Sequence, residues 1–120
     1  MKKTSILIAI ISTLMFLSSC KGDSLKGTVW VTAYSSSYGA LEFTSNSDVL
    51  FYECSSDLTP MGTVHYGTYS VTDSKVTFKN VPYIYYWGEY VSAIINGDFL
   101  IATLSVNGIE LKSTDTFKKR

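Results

Sequence analysis

Near its end the chain reads YVSAIIN, FLIATLSVN and IELKSTDTF in succession, and these runs meet at Asn96-Gly97 and Asn107-Gly108. Asn-Gly between alternating apolar and polar residues is the strongest short-range hairpin signal. Both central residues of a type I′ turn need positive φ, which Asn tolerates and Gly adopts freely. Two such turns commit this part of the chain to three antiparallel strands side by side. The same period-two alternation, rich in Val, Ile, Thr, Tyr and Phe, recurs upstream over Gly27–Ala33, Gly39–Ser45, Asp48–Cys54, Thr63–Thr72 and Lys75–Asn80. Alternation of this kind marks half-buried strands. It puts Leu41 with Phe43, Tyr69 with Val71, and Val76 with Phe78 on inward faces. Asn46-Ser47 and Asp73-Ser74 read as turns, and Ser55–Gly62, with Pro60, as a loop. Gly67, inside the fourth run, predicts a bulge or a bend. No stretch after residue 20 carries a 3.6-residue apolar period. The expectation is an all-β domain, an antiparallel meander of about 7–8 short strands forming a small barrel or sandwich.

The N-terminus reads differently. Lys2-Lys3 precede the apolar run Ile6–Leu17, which is shorter than the ~20 residues a membrane span needs. A charged start, an apolar run and then small residues mark a secretory signal. Leu17-Ser18-Ser19-Cys20 looks like the lipobox of bacterial lipoproteins. That resemblance implies cleavage before Cys20, a diacylglyceryl group on its sulfur and acylation of the new amine, palmitate being a typical chain. Residues 1–19 are then a signal peptide, 20–26 a lipidated cysteine with a polar tether, and 27–120 the folded domain. Two or three acyl chains anchor a protein stably. The expected location is the outer membrane or cell envelope, with the membrane engaged through Cys20.

From Cys20 onward, eight basic residues face ten acidic ones. The basic cluster is confined to Lys118-Lys119-Arg120, too small a footprint for nucleic acid. With Cys20 lipidated, Cys54 stands alone in LFYEC and reads as a buried small hydrophobe.

Taken in order, the lipobox, LKGTVW, LEFTSNSDV, GTYSVTDSKVTF and a last strand ending in Phe117-Lys118-Lys119 resemble the small lipocalin-like (calycin-type) lipoproteins of Bacteroidetes. The resemblance covers nearly all of residues 25–120. It implies a β-barrel over 27–120 and, as an alternative function, carriage of a small hydrophobic ligand. The GTYSV-to-VTF hairpin also looks like the META-type domain of envelope proteins. Lipocalins proper carry Gly-x-Trp on the first strand; Gly27-Thr28-Val29-Trp30 is one residue longer.

Catalytic chemistry needs positioned titratable groups, and candidates are few. His65 is flanked by Val64 and Tyr66, with no carboxylate or serine motif beside it. Glu42, Glu53, Glu89 and Glu110 lie on separate strands, with nothing in the sequence to pair any two as glycosidase carboxylates pair. There is no metal-ligand spacing and no Gly-rich phosphate loop. The reading is a non-enzyme with no catalytic residues, no metal and no cofactor. Strands of ~6 residues tilted by ~40° make a barrel only ~15 Å tall. Sixteen aromatic residues follow Cys20, so a mostly solid interior is expected.

Five of those rings fall in VPYIYYWGEY, Val81 to Tyr90. Pro82 cannot donate to a ladder, so the segment should begin at an edge or in a loop. Alternation puts Tyr83, Tyr85 and Trp87 on one face and Ile84 and Tyr86 on the other. Apolar and aromatic residues fill both faces, more than a single-layer wall can bury. Tyr83, Tyr85 and Trp87 are the expected contact site for a partner protein or glycan, with Tyr86 turned inward. The alternative is a lid whose rings plug the barrel mouth.

Overall fold

A computed structural model describes residues 25–83 and 88–120, apart from the side chain of Lys112. Among these residues there is no helix. The strands are β1 (Val29–Ala33), β2 (Tyr38–Phe43), β3 (Asp48–Cys54), β4 (His65–Thr72), β5 (Lys75–Lys79), β6 (Pro82–Tyr83), β7 (Gly88–Asn96), β8 (Phe99–Val106) and β9 (Ile109–Lys119). Every pairing is antiparallel. The order β5-β4-β3-β2-β1-β9-β8-β7 closes on itself through Lys75↔Ile94, Val76↔Ala93 and Thr77↔Ser92 between β5 and β7. The result is an eight-stranded up-and-down barrel, the closed form of the predicted meander. β6 is a short ribbon that continues the β5 wall along the upper part of β7, with Pro82↔Glu89 and Tyr83↔Gly88. Pro82 thus sits at an edge, as its missing N–H requires.

We call the end holding the β1–β2 turn the upper end. The tether end, where Leu25 and Gly27 lie against Phe43, is then the lower. Two of the tight turns differ instructively. At Asn107-Gly108 both central residues have positive φ, 54° and 79°, as a type I′ turn demands. The other slides by one residue: Asn96 pairs with Phe99, so the turn is Gly97-Asp98, with Gly97 at 60°. A turn centred on Asn96-Gly97 would have set Asp98 opposite inward-facing Ile95. The observed register leaves Asp98 in solvent and pairs Ile95 with Leu100. Gly108→Val is expected to cost ~1 kcal/mol or more, because β-branched residues resist positive φ. A urea midpoint equal to that of the unsubstituted protein would contradict this.

Gly67 makes no bulge: β3 and β4 pair in unbroken register from Asp48↔Thr68 to Phe51↔His65. Its role is space. A Cβ there would lie 2.7 Å from the Lys79 carbonyl oxygen and 2.7 Å from Val81 Cγ2. The chain crosses over Gly67 as β5 kinks, at Asn80 (φ 61°), toward β6.

The interior is built by the inward rows that alternation predicts. Leu41, Phe43, Val49, Phe51, Tyr69, Val76, Phe78, Leu100 and Phe117 are buried in one cluster with Trp30 and Tyr90. Rings meet edge to face at Phe43–Tyr69 (4.7 Å) and Phe51–Tyr90 (5.5 Å), which adds to the value of area burial alone. At the lower end Leu25 is buried, and Gly27 donates its N–H to the Phe43 carbonyl (2.7 Å). Trp30 Nε1 donates to Thr28 Oγ1 (2.8 Å), which donates on to the Leu25 carbonyl (2.5 Å). The tether is therefore tied into the barrel floor.

A second, smaller core lies outside the barrel. Val31, Ala40, Tyr52 and Cys54 pack together with Val29, Tyr38 and Leu50, under Leu58 and Val64. These residues occupy the outward rows of β1, β2 and β3. The loop between β3 and β4 folds back over them as a strap. It is held by Met61 N–H to the Glu53 carbonyl (2.8 Å) and by Arg120 Nη2 donating to the Ser56 carbonyl (2.8 Å). Cys54 is buried beneath it, as predicted, and burial pushes its thiol pKa up.

Candidate functional site

The aromatic stretch enters at the upper end. Tyr83 is half-buried, with its ring 5.6 Å from that of Tyr90 and packed against the main core. Cys20, Tyr85, Tyr86 and Trp87 lie outside the described residues, so of the predicted contact residues only Tyr83 is placed.

Tyr90 organises this end. It is 1% exposed, and its ring meets Phe51, Tyr83 and Phe117 edge to face. Its hydroxyl donates to Asp115 Oδ2 (2.7 Å) and lies 3.2 Å from the Tyr34 hydroxyl. Tyr34 reaches inward across Gly39, where a Cβ would stand only 2.5 Å from the Tyr34 hydroxyl oxygen. Nearby, Ser37 Oγ donates to Glu53 Oε2 (2.5 Å). Burial, with the Tyr34 and Asp115 oxygens alongside, drives the Tyr90 pKa far upward. The phenol stays protonated and acts as a fixed donor.

Sequence reasoning missed this cluster, although its signal was present. Asp115 lies two residues before inward-facing Phe117, so alternation alone puts a carboxylate in the inward row. Such a group needs a donor, and Tyr90 supplies it from β7, on the far side of β8.

The four glutamates occupy three separate places. Glu42 lies on the outer face, where Tyr52 donates to it (3.1 Å), while Glu53 lies at the mouth with Ser37. Glu89 and Glu110 flank Ser105 on either side, and both are exposed. His65 opens β4 opposite Phe51 and is half-buried. Among the described residues, no three of His, Cys, Asp or Glu converge on a common point. Among the described residues, one depression is lined by Thr68, Tyr69, Ser70, Thr77 and Lys79 and another by Thr103, Glu110, Leu111 and Thr114. Neither involves Tyr83.

The upper end presents the half-buried Tyr83 ring beside the buried Tyr34–Tyr90–Asp115 hydrogen bonds. The fold defines the class as a small closed antiparallel β-barrel. No protein-family model matches the sequence, and no curated protein and no solved structure is significantly similar to it.

Proposed function

We propose that this is a lipid-anchored protein of the outer membrane or cell envelope that binds a partner protein or a glycan without catalysis, through the aromatic segment at its upper end. The tether supports this reading. Residues leading from Cys20 join the barrel at Leu25 on its floor, while Pro82–Tyr83 and Gly88 lie at the opposite end. An anchor at one end leaves the aromatic end pointing away from the membrane. The interior supports a surface binder over a carrier, since the rings of Phe43, Phe51, Tyr69, Phe78, Tyr90 and Phe117 occupy the space that an apolar ligand would need.

Three measurements test the reading. Cys20→Ala should abolish membrane association and leave an unprocessed precursor; wild-type fractionation and migration would overturn the anchor. Retention of a protein or polysaccharide from envelope extract should be lost in Tyr85→Ser/Trp87→Ser with the melting temperature nearly unchanged. Binding of one fatty acid per barrel, with a raised melting temperature, would favour the lipocalin-like carrier instead.

A further inference from the structure

The lower half of the barrel wall carries an apolar patch that nothing described covers. Ile94 and Phe99 are 46% and 44% exposed, and Ile101, directly across from Ile94, is half-buried. Side chains this large on an outer wall call for a partner when they cluster. Each exposed member has a lysine directly across the ladder: Lys75 opposite Ile94 on β5, and Lys118 opposite Phe99 on β9. Apolar and aromatic groups interleaved with lysines suit the boundary between headgroups and acyl chains, where rings sink in and ammonium groups stay with phosphate.

The position of this patch selects its occupant. Phe99 begins β8 beside the Gly97-Asp98 turn, on the same end of the barrel as Leu25. Five residue steps separate Leu25 from Cys20, which can reach at most ~17 Å. A lipid on Cys20 therefore keeps this end close to the bilayer. Charge agrees. Of the six basic residues with described side chains, Lys26, Lys75, Lys118, Lys119 and Arg120 lie in the lower half, while Glu53, Glu89 and Glu110 lie in the upper half. Asp73 and Asp98 occupy the adjacent turns, so the lysines orient the contact while the apolar residues supply its grip. The upper end would be repelled by an anionic surface.

We infer that Ile94, Phe99 and Ile101, with Lys75 and Lys118, form a membrane-docking face that lays the lower barrel wall against an anionic lipid surface; this rests on the anchor reading above. The barrel is then held at a fixed tilt instead of swinging on its tether.

The test uses the full-length gene product purified from membranes, with the mass of the intact protein reporting lipid on Cys20. It is reconstituted into phosphatidylcholine vesicles with and without phosphatidylglycerol, carrying brominated acyl chains. Single tryptophans are added as Phe99→Trp at the docking face and Tyr66→Trp on β4, whose native ring is 75% exposed. Trp30 and Trp87 are common to both proteins, so the difference between them reads the added probe. Bromine should quench Phe99→Trp more strongly than Tyr66→Trp, most of all with phosphatidylglycerol, and Lys75→Glu/Lys118→Glu should remove that excess. A lipid-bearing Cys20 with equal quenching of the two probes would overturn docking and leave the anchor standing. An unmodified Cys20 would overturn the anchor, and docking with it.

Discussion

Tyr90→Ala is expected to lower stability by ~4 kcal/mol, the range for deleting a fully buried ring. The cost has two parts. The void would strip partners from the Phe51, Tyr83 and Phe117 rings at once. The Asp115 carboxylate would also lose the hydroxyl that now donates to it at 2.7 Å. Tyr90→Phe separates these parts, since it keeps the ring and removes only the donor. That variant should lose ~1–3 kcal/mol, the cost of leaving a partly buried polar group unsatisfied. Urea midpoints for both variants provide the check. A loss below ~1.5 kcal/mol for Tyr90→Ala would mean that the upper end repacks around the void, and that the ring is not its organising element.

Alkaline pH should unfold the barrel steeply. An unfolded tyrosine releases its proton near pH 10. In the folded protein, burial holds the Tyr90 proton far above that value, helped by the Tyr34 and Asp115 oxygens. Burial, with the Glu42 carboxylate beside it, pushes Tyr52 up to about 12. Above pH 10 the unfolded chain therefore binds fewer protons than the native one, and stability falls as pH rises. Stability from these groups is fully present below pH ~10. Tyr90 alone should cost ~1.4 kcal/mol per pH unit above it, or ~3 kcal/mol by pH 12. Tyr52 adds a smaller share. Against a total of ~5–15 kcal/mol for a domain of this kind, that is a large fraction. Stability measured at pH 8 and pH 11.5 should diverge for wild type and much less for Tyr90→Phe. Parallel losses in the two proteins would show that the alkaline transition has another source.

The strands were legible because each inward row carries its own signal. Leu41 with Phe43, and Val76 with Phe78, are spaced by two and end up buried. Pro82 gave away its edge position, and Asn107-Gly108 its turn type. Closure was less legible. Sequence patterns left barrel and sandwich open, since both bury one face of each strand. The β5–β7 pairing that decides between them joins segments with no local mark. The Gly97 turn slid because alternation further along the hairpin outweighs the dipeptide. At Gly67 the sequence showed a missing side chain, and only the fold reveals what passes there. The outer core escaped notice for a related reason. Val31, Ala40 and Tyr52 lie in rows that alternation assigns to solvent, and the strap that covers them comes from a loop. Alternation places Asp115 in an inward row, but its partners carry no local mark: the Tyr34–Tyr90–Asp115 cluster joins residues 56 and 25 positions apart.

The seam between β1 and β9 has a kinetic meaning. Trp30↔Lys119 and Val31↔Lys118 pair across it, Arg120 N–H donates to the Val29 carbonyl beside them (2.9 Å), and these strands are the first and last of the barrel. A chain emerging from its N-terminus can form hairpin after hairpin, each from neighbouring segments. It cannot close the ring until β9 has arrived. Until then β1 presents an unpaired edge, with Trp30 and the floor of the core open beside it. Contacts this distant in sequence slow folding. The nascent protein therefore passes through an open, adhesive sheet, and a truncation that removes the last strand should leave it there.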